Sequence, residues 1–241
     1  MKINDKKNVN KQKILLAGLL ISIGVLSRII LHDFFNNITN PWEQSGLLGL
    51  DVFFVIATVS IFSGIVLGKH YLFIIPISVI VISDVFYAFV DPINVLLYTT
   101  YLFLFTITGY IFISLIGFYT KKKSKLNKAF IPKIFGAGIV GIVIYDLWTN
   151  FGFWLSFSRL YPNYLSPTFS GLIQAYTWGI PMMIWHILSG LITITIFAVP
   201  LILLKEHKIF QTDYTLKPLE KYSIASATIV LMILSIITAL F

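Results

Sequence analysis

Residues 130–154 read FIPKIFGAGIVGIVIYDLWTNFGFW. A helix crosses ~30 Å of hydrocarbon with roughly 20 apolar residues. This stretch meets that length with one lysine, Lys133, near its start and one carboxylate, Asp146, far inside. It predicts a transmembrane helix and raises the question of what the carboxylate is for. Comparable apolar runs lie on both sides, at 14–31, 51–68, 71–89, 95–118, 171–204 and 223–241. The run 171–204 is too long for one straight span and is interrupted by Gly179 and Pro181. Proline removes a backbone donor and clashes with the preceding turn. A short outer segment over 171–180, then a full span over 182–204, is therefore expected.

The composition agrees with this reading. Of 241 residues, 57% are hydrophobic and only 12% charged, more apolar surface than a soluble domain can hide from water. The expected fold class is all-α: a polytopic membrane helix bundle of six core helices plus a seventh, C-terminal one. The chain divides into a basic N-terminus (1–13), a six-helix membrane domain (14–204), a linker (205–222) and an additional transmembrane helix (223–241). The N-terminus, MKINDKKNVNKQK, precedes an apolar run from Ile14 to Leu31 with no small-x-small cleavage site after it. That run reads as a retained helix rather than a signal peptide. Cysteine is absent, which excludes disulfides, thiolate metal sites and cysteine nucleophiles.

The net charge of +8 is distributed as membrane topology and not as a nucleic-acid footprint, because the lysines stand in short blocks between apolar runs. With the N-terminus in the cytoplasm and the spans alternating, all sixteen lysines fall on the inner side. Sixteen bases against four acids there give +12, and two bases, Arg28 and Arg159, against six acids outside give −4. The expectation is a multi-pass protein of the cell membrane. Two longer loops, 32–50 and 155–170, then lie outside, and function is sought on that side.

Asp84 and Asp146 fall in the outer halves of their predicted helices. A charge at the bilayer centre costs on the order of 3 kcal/mol, less near an interface, so such residues face a cavity or a partner, or else sit solvated among headgroups. Asp146, Thr149, Asn150 and Phe153 follow i, i+3, i+4, i+7 and share a helix face, with Trp154 beside them. Asp84, Tyr87 and Asp91 form a similar stripe, and Gln174, Trp178 and Pro181 line up ahead of Trp185 and His186. With Arg28 one turn from the outer end of its helix, these residues suggest an outward-facing cup. Plainer readings compete. Tryptophan and tyrosine gather at membrane interfaces in any case. His186 could be satisfied between helices, Arg28 and Arg159 could neutralise Asp33 or a phospholipid headgroup, and Asp51 could cap a helix. Trp148 points away from the Asp146 face, toward lipid or packing.

Small residues recur at four-residue spacing: Ser60, Gly64 and Gly68; Gly18 and Ser22; Ala137 and Gly141. Such spacing lets helices approach closely. Packing within the bundle is the plain account, and a docking face for another membrane protein at Gly18 and Ser22 is the sharper one. No phosphate-binding G-x-x-x-x-G-K-[ST] loop, H-E-x-x-H or G-x-S-x-G motif occurs, and the four histidines have no ligand-like spacing. No enzymatic activity, catalytic residue, metal or cofactor is expected. The expected partners are a small molecule, membrane lipids and other membrane proteins, and not nucleic acid.

TNFGFWL (149–155), followed by YPNYLSPTFSGLIQAYTWGIPM (161–182) and joined by Ser83–Asp84, resembles a family of small bacterial and archaeal membrane proteins. That family is similar to the substrate-binding S components of energy-coupling factor (ECF) transporters, six-helix vitamin-uptake proteins, over about residues 14–204. The resemblance implies a vitamin-like micronutrient bound near the outer surface. Delivery would depend on a separate scaffold subunit and two ATPases, with Gly18 and Ser22 at the scaffold contact. The run 223–241 has no counterpart in the six-helix pattern. On this reading Asp84 and Asp146 balance or accept hydrogen bonds from a polar or cationic part of the ligand. Asn150 and Gln174 orient it, Trp154, Trp178 and Tyr87 stack on it, and Arg28 and His186 complete the cup. The alternatives are a membrane scaffold or assembly protein of similar shape, and an ion-coupled secondary transporter using Asp84 and Asp146 as a relay.

Overall fold

A computed structural model describes residues 3–39, 53–90, 92–122, 128–203 and 218–240, which hold helices and no strand. Helix α1 covers Ile3–Thr39, and α2 covers Phe53–Phe62 and continues into a π-helical turn, Ser63–Leu67. Then come α3 (Tyr71–Val90), α4 (Pro92–Lys122), α5 (Ile131–Leu160, entered through a 3-10 turn at Lys128–Phe130), α6 (Phe169–Leu203) and α7 (Pro218–Leu240). The protein is an all-α membrane bundle: six of these helices, all except α2, are long and apolar enough to cross a bilayer.

Helix α2 departs from the expected 51–68 span. Its described apolar part is only Val55–Leu67, and residues 51 and 52 lie outside the described residues. At its end the chain turns through Gly68 (φ 61°) and Lys69 (φ 52°), a left-handed pair that a helix cannot continue through. From Ile56 to Gly68 every residue is buried, as suits a helix apolar all round. Against α4, Gly64 and Gly117 make the contact possible: a Cβ on Gly64 would reach within 2.7 Å of the Phe118 backbone nitrogen. Here the Ser60–Gly64–Gly68 spacing serves packing inside the bundle. At Gly18, by contrast, a Cβ would meet nothing within 4 Å, and Ser22 is exposed.

Helix α4 packs against α2, α3, α5 and α7, and α5 packs against α6. The largest side chains of the core, Tyr110, Phe105, Ile61 and Ile75 among them, lie mainly along α2, α3 and α4.

Helix α6 corrects the sequence reading. It runs unbroken through Gly179 and Pro181, so there is no separate segment over 171–180. Proline removes one backbone bond, and neighbouring helices carry such a helix in a membrane; here Gly179 seats α6 against Asn150 of α5. Helix α3 likewise contains Pro76. Helix α5 continues to Leu160, past the expected end at 154, and this moves Asp146 from the outer part of its helix to the middle. The loop expected over 155–170 shrinks to the residues between Leu160 and Phe169. Helix α1 continues to Thr39, and α7 begins at Pro218, ahead of 223. Trp42, Glu43, Asp51, Asp91 and most of the expected 205–222 linker lie outside the described residues.

Candidate functional site

The seam between α5 and α6 is built from residues four apart. Gly138 faces Ile194, Ile142 faces Gly190, and Asp146 faces His186. Residues spaced by four lie on one helix face, so the three pairs form an antiparallel ladder in which glycine and isoleucine exchange sides. Beyond the last pair Asn150 meets Gly179, where a Cβ would come within 2.5 Å of the amide.

Asp146 and His186 stand halfway along their helices, with Nδ1 of His186 2.5 Å from Oδ1 of Asp146. Their residues are only 3% and 4% exposed. With Asp146 as a carboxylate, Oδ1 accepts and the Nδ1–H of His186 donates. Around this pair the ring of Tyr145 meets His186 edge-on at 6.2 Å and lies 4.5 Å from that of Tyr110. Gly109 gives Tyr145 its place, since a Cβ there would lie 2.5 Å from the Tyr145 ring. The Asn150 side chain turns back to donate to the Asp146 backbone carbonyl at 2.8 Å. Asp146 Oδ2 is buried and has no hydrogen-bond partner among the described residues. Leaving a buried acceptor unsatisfied costs about 1–3 kcal/mol, more for a charged group, and the cost rises in hydrocarbon.

A second polar cluster joins α1 to α3. Arg28 Nη2 lies 2.9 Å from Asp84 Oδ1, Arg28 Nη1 donates to Ser83 Oγ at 3.2 Å, and Tyr87 Oη donates to the Arg28 carbonyl at 2.6 Å. The guanidinium fork serves two acceptors at once, which a lysine ammonium on its flexible stem does less well. We expect Asp84→Ala to lower unfolding stability in detergent by about 1–3 kcal/mol by removing the carboxylate that faces the guanidinium. Arg28→Lys should cost less than Arg28→Ala; chemical unfolding of the three variants measures it.

The sequence grouped these residues into one cup; the structure places them in two clusters. Arg28, Asp84 and Tyr87 share α1–α3, whereas Asp146, Asn150 and His186 share α5–α6. Trp154 is half-buried, and its indole N–H donates to the Ser166 carbonyl at 3.1 Å, tying α5 to the following loop. Gln174 and Trp178 lie on the exposed side of α6, Trp178 with 51% of its surface uncovered. The side of α6 that turns inward carries Gly171, Ala175 and Gly179. Trp148 is packed, donating to Thr108 Oγ1 at 2.6 Å and lying against Phe105. Sequence reasoning missed Tyr145, Tyr110 and Gly109. Tyr145 precedes Asp146 and was open to notice, but nothing in the α4 sequence marks Tyr110 as its neighbour. Among the described residues no three His, Asp or Glu side chains come together as a metal-binding set.

A protein family described as "Family of unknown function (DUF6580)" matches residues 7–212, ending before α7. No curated protein and no solved structure matches the chain.

Proposed function

We propose that the protein, which belongs to the family of unknown function DUF6580, is a membrane transport protein that binds a small polar or cationic solute between α5 and α6. The observation that carries this reading is the unpartnered Oδ2 of Asp146, buried halfway along α5 beside His186. An ionisable pair at such depth is costly and marks solute and ion pathways more often than structure. A solute N–H or ammonium satisfies that oxygen, Asn150 stands one turn further along α5, and the Tyr145 and Tyr110 rings supply the apolar wall that small-molecule sites need. The lysine distribution supports a cytoplasmic N-terminus in the cell membrane, with solute entering from the opposite face. Within that class, an ECF S-component-like role, capturing a vitamin-like micronutrient for a separate scaffold and ATPase module, rests on the Thr149–Leu155 and Tyr161–Met182 sequences. The exposed Gly18 and Ser22 of α1 suit a scaffold contact. No catalytic role is proposed for any residue.

The mid-helix position of the Asp146–His186 pair favours one second reading, an ion-coupled carrier in which the pair itself takes up and releases a proton. Native mass spectrometry of the detergent-purified protein tests the common premise: we expect a retained small molecule in the wild type and its loss in Asn150→Ala, with both proteins folded. A wild type that never carries or binds a small molecule overturns the proposal. Uptake that collapses with a protonophore, and needs no ATPase, selects the second reading over the first.

A further inference from the structure

Helix α7 is lightly seated. Over its first three turns Leu219 and Tyr222 are more than 70% exposed. What holds it there is the Glu220 carboxylate, which accepts from Lys69 Nζ at 3.1 Å, together with Ile224 and Thr228 against the bundle. On one side of Ile224 a crevice of about 240 Å³ runs between α7 and the α3–α4 pair. Its floor is Leu72, Leu115, Phe118 and Ile224, and among the described residues the charged one that lines it is Lys221, in the first turn of α7. Tyr119, half exposed in the last turns of α4, lines the same crevice. Thr228 makes no polar demand on an occupant, because its hydroxyl already donates to the Ile224 carbonyl at 2.9 Å. On the other side of Ile224 a second crevice of about 320 Å³ is lined by Lys69 and His70, but Glu220 already neutralises Lys69 there.

The first crevice is therefore polarised along its length. A cation and a phenol stand where α7 begins and α4 ends, at the lysine-rich end of the bundle, and an apolar floor leads from them toward mid-membrane. That pattern matches an amphiphile with an anionic head. Lysine at this depth reaches the headgroup layer while its stem stays on apolar surface, and attraction between a lysine and an anionic leaflet is strong enough to select headgroups. We propose that the crevice holds an acyl chain of an anionic phospholipid, with its phosphate at Lys221 and Tyr119, and that this lipid completes the seat of α7.

The test is native mass spectrometry of the full chain in detergent, after exchange into mixed micelles holding equal phosphatidylglycerol and phosphatidylcholine. The wild type should retain phosphatidylglycerol in about fivefold preference, and Lys221→Gln, at an exposed position that folding does not depend on, should abolish that preference. Ala225→Leu, which fills the crevice from α7, should reduce retention of both lipids. Equal retention of the two lipids by the wild type overturns the proposal, as does a preference that survives Lys221→Gln. Retention of a protein partner in place of lipid also overturns it. None of these outcomes depends on whether a solute binds at Asp146.

Discussion

His186→Ala should cost about 3–5 kcal/mol of unfolding stability, because it leaves the Asp146 carboxylate buried with neither oxygen paired by a side chain. A smaller loss, about 1–3 kcal/mol, is expected for Asp146→Ala, which removes the acceptor facing Nδ1 of His186 between the two helices. The informative variant is the pair replaced together. Asp146→Leu with His186→Leu puts apolar groups in the seam, and buried ion pairs exchanged for apolar residues of similar volume often leave stability unchanged or raised by about 1–4 kcal/mol. Stability should therefore recover in the double variant while solute retention does not. Denaturant unfolding in detergent, run beside native mass spectrometry on the same samples, separates the two properties. A stable double variant that still retains solute as the wild type does would make the pair a helix fastener and nothing more.

Gly64→Ala should be nearly as damaging, although it adds one methyl group. The new Cβ would collide with the Ser114 carbonyl oxygen and sit 2.7 Å from the Phe118 nitrogen. Both are backbone atoms, so neither can rotate away, and α2 must move off α4. Overpacking of this kind costs about 1–3 kcal/mol and occasionally more, and the upper end is expected because the contact is backbone to backbone. Gly117 presents the reciprocal contact, against the Ile61 carbonyl, and should behave alike. Gly136→Ala is the control: a Cβ there meets nothing within 4 Å, so the helix-propensity difference of roughly 1 kcal/mol should make this change neutral or stabilising. Thermal melts of the variants in one detergent rank them directly.

Much of the fold was legible because hydrocarbon imposes a length on every spanning helix. Apolar runs therefore located α1, α3, α4 and α7 to within a turn or so of their apolar parts, and the start of α5. The reading failed at the ends and at proline. The ends of α1 and α5 extend through polar and aromatic residues, such as Ser156 and Ser158, that composition alone assigns to loops. Proline breaks an isolated helix, but α5 lies alongside α6 and Gly179 leaves room for the Asn150 side chain between them. The site was legible in part. Helical spacing put Asp146 and Asn150 on one face, which holds, since the Asn150 amide returns to the Asp146 carbonyl. That spacing says nothing about which helix comes opposite. Arg28 with Asp84 and His186 with Asp146 pair side chains 40 or more residues apart in the chain, and a periodic pattern carries no record of them.

The ladder between α5 and α6 restricts how the molecule can move. If α6 slid one turn along α5 in one direction, Ile142 would meet Ile194; in the other, Ile134 would meet Ile194 and Gly138 would face Gly190 across a gap. Either shift would also part Asp146 from His186. A one-turn slide of α6 along α5 is therefore blocked, and a displacement of that kind has to be taken up where the pair borders α2, α4 and α7.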